Sequence, residues 1–447
     1  MTSVFESISL RSPLMKQPRR ITFAAMLVLF ALPTLAWSQL VSGRLISSIT
    51  TFERVFDTVG TSKTYVRGFQ SVLLDIGQSD FSFHAHAQGA ATLQHTLDEL
   101  PDYRLYYLYA RWRNIADAVD VSIGRVPYFV GVGVGTMDGM LTTVRFAENK
   151  ARFTVYGGAN LRNDITIEKW GPFKNNFTVG GQFLTTAIER TRLGISYMNR
   201  QRERPGYPTI RPDTLGNGVP FYVDAILAKE QYVSGDAAYE ISDMKVYGRY
   251  DFNLESEKTQ RGQLGVRYNA TPDLTLTGDF IHRAPRVLFN SFFAVFNTSS
   301  VNEFEAGADY RFCPTIRAFV RGAYVKYTDD KTFRYTVGMA HNYFSASYRG
   351  NSGYAGELNA LSLQGAYPLF DNMLTPTAGL TLSWYKLNDT AENESATAAV
   401  LGAIVRPLRC LSFDVQGQWL HNKIADRDVR LFAKLSYWFS ERLTIFD

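Results

Sequence analysis

"EFEAGADYRF", residues 303–312, puts Phe304, Ala306, Ala308, Tyr310 and Phe312 on one side of an extended chain and Glu303, Glu305, Asp309 and Arg311 on the other. Successive side chains of a strand point to opposite faces, so this period of two describes a strand with one apolar and one polar face. A helix would scatter the same residues around its circumference. The alternation returns in "VRLFAKLSYWF" (429–439), where Val429, Leu431, Ala433, Leu435, Tyr437 and Phe439 alternate with Arg430, Lys434 and Ser436. It returns again in "MKVYGRYDF" (244–252), "LTLTGDF" (274–280), "FRYTVGM" (333–339) and "FSFHAHAQ" (81–88).

About 22 such runs follow one another, and the pattern allows a range of about 18 to 24. The gaps between them alternate between two kinds. Short gaps fall at 77–80, 114–117, 148–150, 241–243 and 312–315, and mostly longer ones between them at 91–102, 127–140, 162–175, 201–230 and 283–300. An all-β, up-and-down antiparallel barrel with tight turns on one rim and loops on the other produces this alternation and an even strand count. So wide a cylinder holds water rather than a packed core, which assigns the polar face to the lumen and the apolar face to lipid. The aromatic residues agree. Tyr250, Phe252, Phe280, Tyr324, Trp384 and Trp419 end outward rows at the long-loop rim, and Tyr268, Tyr310, Phe312, Tyr367, Tyr437 and Phe439 do so at the short-turn rim. Two such girdles suit the two headgroup levels of a bilayer, so the expected fold is a transmembrane barrel.

Composition fits. Among 447 residues, aromatics are 14% and charged residues 20%, which suits a β-rich chain better than a disordered one. Lys16, Arg19 and Arg20 precede the apolar run 21–37, and Ala36-Trp37-Ser38 places small residues for a cut. This predicts a signal peptide over 1–38, cleaved near Ser38, and a barrel domain over 39–447; an uncleaved anchor is the alternative. The segment 1–38 carries four basic residues against Glu6, so most of the formal +5 belongs to it, and no nucleic-acid partner is indicated. Cys313 and Cys410 are the only cysteines, and whether they pair is open.

On alternation, girdles and loop asymmetry the chain resembles the Gram-negative outer-membrane porins. The segment "VRLFAKLSYWF" resembles their terminal assembly signal, except that eight residues follow Phe439. The resemblance implies short periplasmic turns, longer extracellular loops and passive diffusion of small hydrophilic solutes or ions through the outer membrane. It also implies that the loop after the fifth strand, here 127–140, folds into the lumen and sets its narrowest point. A homo-oligomer is compatible with it.

That loop contains "VGVGVGTMDG" (130–139), with Gly131, Gly133, Gly135 and Gly139. A phosphate-binding loop would need a following helix or a Gly-Lys-Ser/Thr ending, and a strand-like "LTTVRF" follows instead. Backbone freedom for a segment that enters the lumen or caps the rim is the better reading. Candidate pore-lining residues are Asp138, Arg145, Arg152, Arg249, Arg267, Glu303, Glu305, Asp309, Arg317, Arg321 and Arg334. They either hydrate and pair inside a wet barrel, or strands 315–327 and 331–341 face Asp138 across a transverse field. His84 and His86 share a strand face but lack a third metal ligand nearby, so they read as polar lumen residues, with no metal and no cofactor expected. The chain is read as a non-enzyme. A hydrolase built on His282, His341 or His421 lacks a GxSxG nucleophile motif, and a sheath for a periplasmic multihaem cytochrome would share the barrel pattern. The Phe-rich segment 283–300 either folds over the rim or meets a partner.

Overall fold

A computed structural model describes residues 39–443 except 57–60, 95–102, 162–172, 205, 213–217, 225, 286–299, 329, 354–356, 387–389 and 424–426. The segment 1–38, expected to be a signal peptide, and nearly all of the Phe-rich segment 283–300 therefore lie outside the described residues. Leu40–Glu441 form one unit by their internal packing.

The alternating runs become strands, numbered in chain order. The first nine are β1 (Gln39–Phe56), β2 (Thr61–Gln78), β3 (Phe81–Gln94), β4 (Tyr103–Ile115), β5 (Val119–Val130), β6 (Gly133–Phe146), β7 (Ala151–Asn160), β8 (Phe177–Thr185) and β9 (Thr191–Arg204). A separate hairpin, β10 (Tyr207–Pro212) with β11 (Gly218–Val223), occupies the connection to the next strand. There follow β12 (Ile226–Ile241), β13 (Met244–Asn253), β14 (Lys258–Asn269), β15 (Leu274–Arg283), β16 (Val301–Cys313), β17 (Ile316–Lys326) and β18 (Lys331–His341). The last six are β19 (Phe344–Gly353), β20 (Leu358–Ala366), β21 (Leu374–Tyr385), β22 (Glu394–Leu408), β23 (Leu411–His421) and β24 (Asp428–Leu443).

Apart from the small hairpin, 22 strands form one sheet in which each pairs with the next, β9 with β12, and β1 with β24. The pairing of first and last strands closes the cylinder and removes the edges an open sheet would expose. At that seam the Leu431 N–H donates to Thr51 Oγ1 at 2.8 Å and Arg44 donates to Ser436 Oγ at 3.1 Å. The Arg44 guanidinium also lies 4.6 Å from the centre of the Trp438 ring. The last strand continues past Phe439 to Leu443.

The register carries the alternation around the wall. Phe304 of β16 faces Phe280 of β15 and Tyr324 of β17, and the Phe280 and Phe304 rings stand 4.8 Å apart. These side chains are not core. Phe304 is 54% exposed, Leu401 70% and Leu431 56%, all on the apolar face. A continuous exposed apolar belt on a closed antiparallel cylinder fits hydrocarbon and not water.

One expectation is corrected. Residues 127–140 are not a long loop: β5 and β6 run through them and meet at a turn of only Gly131 and Val132. Gly131 has φ +58°, the left-handed value that a two-residue hairpin needs at its first central position. The other long-loop gaps stay between strands, and 201–230 additionally contains the β10–β11 pair.

Candidate functional site

The two strands flanking that turn outrun their neighbours. The last β4–β5 pair is Leu108 with Arg125, and the last β6–β7 pair is Met137 with Asn160. Beyond these, Pro127–Val130 and Gly133–Thr136 pair only with each other. Just before the departure, Gly124, Gly139 and Gly158 sit side by side on β5, β6 and β7. A Cβ on Gly139 would collide with the backbone of Gly157 and Gly158, so the strands approach more closely here than side chains permit. Glycine rows of this kind mark corners in barrels.

At that corner the hairpin turns inward. Its tip reaches β9 and β12, which lie three and four strands from β6, on the polar face that carries Ser196, Arg200 and Glu230. The Val132 N–H donates to Ser196 Oγ at 3.0 Å. Arg200 donates to Tyr128 Oη at 2.7 Å and to the Val134 carbonyl at 2.6 Å, while its other amino group lies 3.4 Å from Glu230. Gly133 passes beneath the Tyr156 hydroxyl, and Gly135 lies beside the Tyr128 hydroxyl and the Arg200 guanidinium.

Burial is concentrated here. Tyr128, Val130, Met137 and Tyr156 form one buried cluster, with the Tyr128 and Tyr156 rings stacked at 4.6 Å, and Val132, Met198 and Tyr232 form another. Each large apolar side chain so covered contributes about 1.5–3 kcal/mol, enough together to hold the hairpin on the wall. The opposite side of the tip faces open lumen: Phe129 and its cross-strand partner Val134 are 79% and 53% exposed.

Asp138 does not face the strands 315–341 as a free charge. Arg125, its cross-strand partner, grips it with both nitrogens, Nε to Oδ1 at 2.8 Å and Nη2 to Oδ2 at 2.9 Å. Arg125 also donates to the Leu105 carbonyl at 2.9 Å, capping β4 where β5 departs from it. The proposed transverse field therefore loses its acidic pole, because a carboxylate beside a bidentate guanidinium projects a short-range dipole.

The remaining candidates divide into two groups. Arg145 pairs with Asp120 at 2.6 Å, Arg249 with Asp251 at 2.8 Å and Arg321 with Asp309 at 2.6 Å. Arg334 bridges Glu303 and Glu305, the latter at 3.1 Å, and Arg283 reaches Glu303 at 3.3 Å. By contrast, Arg152, Arg267 and Arg317 are exposed, and no ion pair is formed by them among the described residues. All three lie close to short turns, after 147–150, before 270–273 and after 314–315.

His84 and His86 do not converge: His84 stacks on Tyr109 at 4.8 Å and His86 on Tyr106 at 4.5 Å. His282 Nδ1 is 2.8 Å from Asn302 Oδ1, His341 stacks on Phe344 and His421 on Trp419. Cys313 and Cys410 are free thiols. The sequence reading missed Gly124, Gly158, Tyr128, Tyr156 and Arg200. The adjacent pair Gly157-Gly158 on the neighbouring strand was the available signal, since a double glycine inside a strand indicates close backbone approach.

No family model and no curated protein sequence matches the chain. Among solved structures, it is similar to a mutant of the ferric enterobactin receptor (PfeA) of Pseudomonas aeruginosa, at 10% identity over 89% of this chain and 80% of that one, with a TM-score of 0.54. It also aligns with OccK3 (OpdO) of the same species at 12% identity, over 89% and 96% of the two chains, with a TM-score of 0.41. OpdQ of Pseudomonas aeruginosa aligns at 9% identity over 90% and 98%, with a TM-score of 0.39. The receptor likeness shows the fold, a closed antiparallel barrel.

Proposed function

We propose that the protein is an outer-membrane porin through which small hydrophilic solutes and ions diffuse passively. The observation that carries this reading is the inward β5–β6 hairpin lying flat on the lumen wall. With strands about 4.8 Å apart and tilted about 40°, 22 of them make a backbone cylinder on the order of 40 Å across. The four residue pairs beyond the wall extend about 13 Å at about 3.3 Å per residue, and they lie against one side. Such a hairpin narrows the lumen without closing it. In this reading the short turns are periplasmic, the longer loops extracellular, and the leader is removed near Ser38.

Solutes passing the narrowing meet the apolar pair Phe129 and Val134 on one side and charged rows on the other. Because most lumen cations are paired with acids across neighbouring strands, ion preference is modest. The unpaired Arg152, Arg267 and Arg317 bias the short-turn mouth toward anions.

Liposome swelling with sugars of graded size tests the reading. Vesicles containing the purified protein swell at rates that fall with solute size, and deleting residues 129–134 raises the size cut-off. Vesicles that do not swell with any sugar, with or without the deletion, contradict it.

A further inference from the structure

Two residues inside the short turn between β2 and β3, the lumen face carries an arrangement that diffusion does not need. Ser82 and His84 stand two apart on β3 and share that face, and Asp75 of β2 is the cross-strand partner of His84. The imidazole uses both nitrogens. Nε2 is 2.9 Å from Ser82 Oγ, and Nδ1 meets Asp75 Oδ1 in a hydrogen-bonded pair. A carboxylate on Nδ1 fixes the tautomer whose Nε2 lone pair faces the hydroxyl, and this order of groups converts a serine into a nucleophile irrespective of fold.

The neighbours suit that use. Tyr109 stacks on the imidazole with 25° between the ring planes and holds its orientation. Gly77, opposite Ser82, leaves room beside the serine: a Cβ there would lie 2.8 Å from Ser82 Cβ. On the other side Arg111 is the cross-strand partner of Ser82; its guanidinium lies 3.6 Å from Asp120 and its side chain is 39% exposed. Cross-strand Cβ atoms lie about 5 Å apart, within reach of a guanidinium for an oxyanion formed at Ser82. Asp75 is 52% exposed and His84 20%, so the trio meets water at its acid end, while Ser82 itself is 7% exposed.

We propose that Ser82, His84 and Asp75 form an esterase site that cleaves small uncharged carboxylic esters in the lumen. Ser82 Oγ bonds to the carbonyl carbon as its proton moves to His84 Nε2, and Arg111 faces the resulting oxyanion. Collapse breaks the bond to the alkoxy oxygen, which leaves as alcohol with the proton from His84. Water then gives a proton to His84 and bonds to the acyl carbon; the acyl–Oγ bond breaks, releasing the acid, and Ser82 recovers its proton. No cofactor, oxidant or reductant is required. Ser82 and His84 are the catalytic residues, and Asp75 is a positioning residue.

The test uses the purified full-length protein in detergent micelles, with p-nitrophenyl acetate as substrate and a fluorophosphonate as covalent probe. The wild type turns over the ester above the micelle blank and is labelled at Ser82. Ser82→Ala abolishes labelling, and Ser82→Ala and His84→Ala lower turnover at least about a thousandfold, to the level left by binding alone. Asp75→Asn lowers kcat while leaving KM unchanged, which loss of a merely structural hydrogen bond would not do. An unchanged heat-modifiable, folded band of Ser82→Ala on a gel shows that this variant is folded. An unlabelled, inactive wild type overturns the proposal, as does label or turnover undiminished in Ser82→Ala; either result leaves the trio as a structural hydrogen-bond network.

Discussion

At the level of single residues, the hairpin depends on three kinds of contact that fail differently. Gly139 has backbone on the far side of its missing Cβ, and backbone cannot yield as a side-chain end can. Gly139→Ala therefore forces the corner open at a cost of about 1–3 kcal/mol, read as a loss of the heat-modifiable, folded band on a gel. Asp138 matters as a counterion. Asp138→Asn leaves the Arg125 guanidinium, 7% exposed, without its carboxylate, at about 3 kcal/mol in denaturant unfolding. Because the pair is neutral as a unit, the substitution leaves a net positive charge there and moves ion selectivity toward anions. Arg200 ties the tip to the wall at two points. Arg200→Ala releases it, and single-channel records show added open-state noise and larger steps, whereas Tyr128→Phe, which removes one of those bonds, shows a smaller effect of the same sign. That Glu303, Glu305 and Asp309 share one face of their strand was legible in the alternation alone. Their partners were not, because Arg334 meets Glu303 from two strands away and only the register decides that.

Among elements, the strands and short turns were readable because one face is apolar and the other polar, and a slip of one residue would exchange them. The segment 127–140 was misread for a physical reason. Once β5 and β6 leave the wall, one face of the ribbon packs on the inner wall and the other meets the lumen, so polar alternation is lost. What remains is Val, Gly and Tyr after Pro127, a composition that imitates a loop. The paired glycines at the corner carried the information, but reading them needed the register that sets Gly124, Gly139 and Gly158 side by side. Met137, fully buried beneath the ribbon, is the element's anchor. Met137→Ala loosens the tip by about 2–5 kcal/mol, which hydrogen exchange detects as faster exchange of amides 126–136 with the barrel amides unchanged.

Across the whole molecule, closure of β1 on β24 is what makes an apolar exterior and a wet interior compatible. An open sheet of this composition would expose both an apolar face and two unpaired edges to one solvent. The strand number also makes an inward element necessary for any size selection, since a cylinder of this width would otherwise pass far larger solutes. The account therefore rests on a continuous aqueous path narrowed by one hairpin. Single-channel recording in planar bilayers, comparing the full chain with a variant lacking residues 129–134, measures that path directly. The account predicts discrete steps that scale with salt concentration in the wild type and larger steps in the deletion. Bilayers that stay silent with both proteins at every salt concentration would contradict it.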